Sequence, residues 1–285
     1  MPKRKGRIDE IEDLSSMDLV AFNGGVNPWG NPFVTAGFKP GARYFRLVVE
    51  KWGFAGFRSV ADVGSGYGRW AVFLGEANTK VSGYERNVEA VELSRKLAKH
   101  FGLSNVSFEV AEVTKLPVKD NSVDAVWCNN GLHLFPRADF LTEIRRVLKP
   151  GGPLFLGQYS GLGSMLEKFF EGYRNGGLND FLTKFALGSI KAGDLADANS
   201  FTYCSPDDIG SVLETFGFEL SSEHPMEPQM RAGVQASDMF AEEMRDIPAF
   251  ARRLEENEAF RTEFVRHPEI ANRYPVNMNL LAIKR

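Results

Sequence analysis

The chain has 285 residues, 43% of them hydrophobic and 25% charged, which suits one sizeable α/β domain with insertions and an ordinary globular protein. A formal net charge of −3 excludes a chain that coats nucleic acid by charge alone, and the single basic run, Lys3-Arg4-Lys5 with Arg7, sits at the N-terminus and reads as a solvated end. Two cysteines, Cys128 and Cys204, cannot build a disulfide framework or a zinc site by themselves. With no long apolar run and a polar start, the expected setting is reducing and cytoplasmic, with no membrane span.

The first forty residues begin charged and then pass through Asn23-Gly24-Gly25-Val26-Asn27-Pro28-Trp29-Gly30-Asn31-Pro32-Phe33, which is too dense in turn formers for a regular element. Residues 1–42 therefore read as an N-terminal arm, either a lid or an ordered surface loop. An amphipathic helix is expected over 43–52. From position 58 strands and helices alternate, the signature of a parallel sheet covered on both faces. Strands are expected at 59–63, 79–85, 106–110, 122–128 and 153–158, with helices at 69–76, 88–100 and 140–148. Lys149-Pro150-Gly151-Gly152 ends the last of these helices.

The alternation lapses after Tyr159, and residues 161–204 read as a Phe-rich helical cap insertion. Ser205 as N-cap and Pro206 in the first turn restart a helix that ends at Phe216-Gly217; a strand follows at 218–221. A second helical insertion occupies 224–274, and a final strand lies at 277–284. The alternating core thus takes 43–160, and 205–285 completes it.

Val60-Ala61-Asp62-Val63-Gly64-Ser65-Gly66-Tyr67-Gly68-Arg69-Trp70 reads as strand, tight turn and helix, with a ledge of backbone and helix N–H groups facing one crevice. A dinucleotide fingerprint would place its third small residue at Arg69, which fits poorly. The acid at Asp62 and the alternate glycines Gly64, Gly66 and Gly68 instead resemble the first motif of the class I S-adenosylmethionine (SAM) methyltransferases. Glu85 stands where that family has the acid that bridges the ribose hydroxyls, and Glu109-Val110-Ala111-Glu112-Val113 resembles its adenine-binding segment. Asn121 to His133 looks like the fourth strand and the loop that faces the sulfonium. Leu141 to Gly152 is close to the helix and turn before the fifth strand. The resemblance is nearest to the ubiquinone and menaquinone biosynthesis branch, which acts on small molecules.

The resemblance implies a Rossmann-like, doubly wound, seven-stranded sheet, mostly parallel with an antiparallel last strand, whose helical insertions form a cap. It implies SAM as cofactor, held by Asp62, Gly64, Ser65, Gly66, Gly68, Glu85, Arg86, Glu112, Val113 and Asn129. Asp62 would order the turn and the amino-acid end of SAM, and Asn129 would accept from its ammonium through side chain or carbonyl. His133 is the candidate general base, since imidazole titrates near neutrality. His100 is expected to be solvated, Asp124 to be structural and Cys128 to be a buried thiol. No metal site is expected.

The expected activity is methyl transfer by in-line displacement to a small, apolar or aromatic acceptor, with no nucleic-acid partner. Phe169, Phe170, Tyr173, Phe181, Phe185, Trp29 and Phe33 either roof that acceptor or form a small core of the cap. The alternatives are a methyltransferase of RNA or protein and a non-catalytic SAM-fold binding protein.

Overall fold

The computed structural model describes residues 18–28, 41–129, 135–159, 206–225 and 278–285. Among the described residues, two helices come first, α1 (Leu19–Phe22) and α2 (Gly41–Lys51). The alternating core follows as β1 (Val60–Val63), α3 (Arg69–Ala77), β2 (Val81–Glu85), α4 (Val88–His100), β3 (Val106–Val110), β4 (Ala125–Asn129), α5 (Arg137–Val147) and β5 (Pro153–Tyr159). Then come α6 (Pro206–Thr215), β6 (Phe218–Pro225) and β7 (Met278–Lys284).

One seven-stranded sheet has the order β3-β2-β1-β4-β5-β7-β6. The pairs among β1 to β5 are parallel, while β7 runs antiparallel to both β5 and β6. The expected fold class and reversed last strand are thereby observed. The chain steps outward from β1 to β3, then returns to lay β4 on the other side of β1. That reversal opens a crevice beyond the carboxyl ends of β1 and β4, where doubly wound sheets bind ligands.

Three differences from expectation have a visible physical cause. The fourth strand starts at Ala125 rather than at 122, because Asp124 turns its carboxylate onto Ser59, accepting from its N–H (2.8 Å) and Oγ (3.0 Å), and onto the Lys149 ammonium. Asp124 is structural, as expected. The sixth strand runs on to Pro225, since β7 offers it partners as far as Met278. Within the expected irregular arm, Leu19–Phe22 forms a short helix whose N-cap, Asp18, accepts from the N–H groups of Val20 and Ala21.

The apolar residues sort by strand parity into two cores, one on each face. On the face covered by α2 and α3, one row of register partners crosses the sheet: Phe108, Gly83, Asp62, Trp127, Phe155 and Leu281. Trp127 stacks on Phe155 with ring centres 3.7 Å apart, and Phe45 stacks on Phe73 at 4.6 Å. Asp62 is the one carboxylate in that aromatic row. The N-terminal segment leans on α4 through Lys96 Nζ to Asn23 Oδ1 (2.8 Å) and the edge contact of Phe22 with His100. His100 is exposed, as expected, but carries this contact.

Lys284 closes the opposite end of the sheet. It is 8% exposed, and its Nζ donates to Asn121 Oδ1 and to the carbonyls of Arg145 and Leu148, each at 2.6 Å. The last strand thus supplies the cation that caps the carboxyl end of α5. Burial, followed by the charge of Arg145, lowers its pKa. Lys284→Met keeps the apolar stem and strands three acceptors, so it should cost about 2 kcal/mol. Urea denaturation measures this; an unchanged midpoint would contradict the capping role.

Candidate cofactor site

The turn after β1 needs glycine on conformational grounds: Gly64, Gly66 and Gly68 have φ of 70°, 57° and 80°. Its first two N–H groups, on Gly64 and Ser65, both donate to the Tyr84 carbonyl at 2.9 and 3.0 Å, so the turn rests on the end of β2. The space at two of these glycines is already filled by the protein. A Cβ on Gly64 would stand 2.7 Å from the Phe135 ring, and one on Gly68 would stand 2.7 Å from Phe108 and 3.0 Å from Ser94 Cβ. At Gly64 and Gly68 the missing side chain therefore serves close packing of the turn as well as its φ.

Glu85, at the end of β2, accepts from Gly66 N–H at 3.1 Å through one oxygen and from Asn87 N–H at 2.9 Å through the other. Its carboxylate is thus fixed at the lip of the turn, and each oxygen retains lone pairs for hydroxyl donors. The Ser94 hydroxyl, from α4, lies 2.8 Å from the Ala90 carbonyl and 3.1 Å from that of Gly66, tying the turn to that helix.

Asp62 is 2% exposed and accepts from the Ala71 N–H in the first turn of α3. Burial raises its pKa from 3.8 to about 7; the Ala71 bond and Arg69 pull it down, and the Glu85 charge pushes it up. Three buried polar atoms at this crevice lack a partner: Asp62 Oδ2, Ser65 Oγ and Asn129 Nδ2. An acceptor that suits an ammonium, donors that suit a carboxylate and a fixed Glu85 for a diol match the two ends of SAM. The residues present fit that cofactor.

The other expected contacts are distributed less evenly. Val113 is buried, whereas Glu112 and Arg86 are exposed. The side chain of Asn129 presses its Oδ1 against Gly157 and leaves Nδ2 as the unpartnered group, so it offers the site a donor. Cys128 is fully buried with its thiol pKa raised by burial and then by Asp62, which fits the expected inert thiol. His133 and the aromatic residues expected to roof an acceptor lie outside the described residues. Among the described residues no cluster of His, Cys, Asp and Glu could hold a metal ion, and no helix is long and apolar enough to cross a membrane.

Sequence reasoning passed over Ser94, Asn87, Phe135 and Gly157. Asn87 carried a readable signal, as an N-cap before an amphipathic run; its Oδ1 accepts from Ala90 N–H at 3.0 Å. Ser94 showed only as a hydroxyl among the apolar positions of α4. Nothing in the sequence placed Gly157 beside Asn129.

Residues 60–152 match a family model described as "Methyltransferase domain". The chain is 33% identical over 125 residues to the ubiquinone/menaquinone biosynthesis C-methyltransferase UbiE of Geobacter sp. (strain M21), covering 41% of this chain and 52% of that protein. It is 36% identical over 101 residues to the 27-O-demethylrifamycin SV methyltransferase of Amycolatopsis mediterranei (strain S699), covering 34% and 37%. The chain therefore spans about half or less of the curated relatives it matches. Among solved structures, a putative sarcosine dimethylglycine methyltransferase from Galdieria sulphuraria matches with a TM-score of 0.54 and 14% identity over 88% of this chain and 86% of that one. The [4+2]-cyclase SpnF matches with a TM-score of 0.52 and 19% identity over 96% of each chain. Both show the fold. Residues 60–152 thus resemble a methyltransferase domain in sequence. The glycine turn, the acids at the ends of β1 and β2 and the strand order are similar to those of the class I S-adenosylmethionine-dependent methyltransferases.

Proposed function

We propose that the protein transfers a methyl group from SAM to a small organic acceptor of apolar or aromatic character. The observation that carries this reading is the buried Asp62 carboxylate under the glycine turn, one strand away from a Glu85 already fixed by the turn's own backbone. Named activities of relatives point the same way: a fatty-acid O-methyltransferase from Mycolicibacterium smegmatis is 34% identical over 98 residues, and the rifamycin enzyme also acts on a small organic molecule.

The bound sulfonium would supply an activated methyl group, which a nucleophile takes by in-line displacement. The work left to the chain is alignment and exclusion of water. Asp62 would hold the ammonium, Glu85 the ribose hydroxyls, and the Ser65 hydroxyl with Asn129 the carboxylate end; Val113 would meet the adenine. Glu112 and Arg86 would close the outer side of the adenosine. His133 would take a proton from an acceptor that needs to lose one. The N-terminal arm (1–42) and the insertions at 161–204 and 224–274 would select the acceptor, because the core is committed to the cofactor.

A second reading is binding of SAM without methyl transfer, favoured by the match to a cyclase along nearly the whole of both chains. Isothermal calorimetry with SAM and with its demethylated product S-adenosylhomocysteine tests the cofactor claim, and micromolar binding of both is expected. Failure of both to bind would sink it. Release of S-adenosylhomocysteine on incubation with candidate acceptors then separates the two readings. For an acceptor that must be deprotonated, His133→Gln should lower the rate at saturating SAM on the order of a hundredfold; equal rates across pH would remove the base.

A further inference from the structure

Five unpartnered buried atoms lie around the end of β1: one acceptor, Asp62 Oδ2, three donors, Trp70 Nε1, Trp127 Nε1 and Asn129 Nδ2, and the Ser65 hydroxyl, which can act either way. Their placement follows from register. Asp62 and Trp127 are direct neighbours across β1 and β4, and Asn129 stands two positions further along the same side of β4. Trp70 immediately precedes Ala71, whose N–H binds the Asp62 carboxylate. The two indole rings lie 4.9 Å apart, centre to centre.

A buried indole N–H ordinarily finds a partner, and leaving one unmade costs the full desolvation of the donor. Two such donors and one carboxylate oxygen, all buried and unpartnered, fall within the two to four polar neighbours that a single buried water requires. Apolar packing surrounds the rest: Phe155 stacks under Trp127, and Phe45 meets Trp70 edge-on at 5.0 Å. The ionisable groups that face Asp62 are Glu85 from β2, Arg69 from α3 and the Cys128 thiol from β4. Of these only Arg69 favours the carboxylate, so neutral donors have a part to play.

We propose that the indole N–H groups of Trp70 and Trp127 are positioning donors for Asp62, joined to its free oxygen through one buried water, and that they keep the carboxylate in place and ionised for the ammonium of SAM. The role in cofactor binding rests on the function proposed above. The water and the hydrogen bonds do not.

Trp127→Phe keeps the stack on Phe155 and removes only the donor ring; Trp70→Phe does the same from the helix side. In the cofactor-free full chain, the Asp62 carboxyl carbon is followed by NMR through a pH titration. Each variant should raise the midpoint by about one pH unit. In the wild type, both indole Hε1 protons should show cross-relaxation with a long-lived water, a result that requires no variant to fold. For S-adenosylhomocysteine, the pH below which affinity falls should rise by the same amount, with affinity at pH 9 within about threefold of wild type. An unmoved midpoint in both folded variants, or no bound water at either indole, overturns the proposal. Failure of S-adenosylhomocysteine to bind the wild type at any pH overturns the functional reading and the cofactor half of this one, while the titration and the water contact judge the remainder independently.

Discussion

Asp62→Asn should stabilise the cofactor-free protein at pH 8 and weaken its hold on SAM. The carboxyl is raised from 3.8 to about 7, chiefly by burial. Between those values the folded state holds a proton that the unfolded chain has released. Stability therefore falls as pH rises from about 4 to about 7, and the whole penalty is present above that window. At about 1.4 kcal/mol per pH unit, the upper bound is on the order of 4 kcal/mol. A bridging water of the kind proposed would recover part of it, so a gain of about 2 kcal/mol is expected for asparagine, which keeps the acceptor for Ala71 N–H. The gain should vanish below pH 4, and SAM affinity should drop at least about tenfold. Urea denaturation at pH 4 and pH 8, with calorimetry on the same samples, measures both. A variant less stable than wild type at pH 8 would mean that the charge is better solvated than its burial implies.

Gly68→Ala should be the most damaging single methyl group in the turn. The residue has φ +80°, so an added side chain carries the left-handed penalty of about 1 kcal/mol. The same Cβ would meet Phe108 at 2.7 and 2.9 Å and Ser94 Cβ at 3.0 Å, and both neighbours belong to buried, packed elements. Overpacking of that kind adds roughly 1–3 kcal/mol. A total near 3 kcal/mol is expected, together with a loss of cofactor affinity of more than about tenfold as the turn shifts. Gly151→Ala is the matched control: φ is +74° with nothing within 4 Å, so about 1 kcal/mol should be lost there. Equal losses at the two sites, by thermal or urea unfolding, would show that Phe108 yields without cost.

Much of the core was legible because its signals are local. The helix over Val88–His100 and the strand over Val106–Val110 appear with the bounds expected from apolar periodicity alone. The fourth strand is expected to start three residues too early because the turn at Asp124 is made by Ser59 and Lys149, which are distant in sequence. The glycines of the turn were read for their φ and for ligand approach. Their second duty, making room for Phe108 and Phe135, depends on β3 and on the segment before α5.

From sequence come the alternation of strands and helices, the acid before the glycine turn and the second acid at the next strand end, since each of these is a pattern within a few neighbouring residues. Tertiary structure alone decides the ionisation of Asp62. Its carboxyl is buried because register sets it between Gly83 and Trp127 in an aromatic row, and the donors that can answer it come from β4 and α3. A single sequence carries no record of which residues share a row across a sheet, and it is that row that sets the dielectric around the charge.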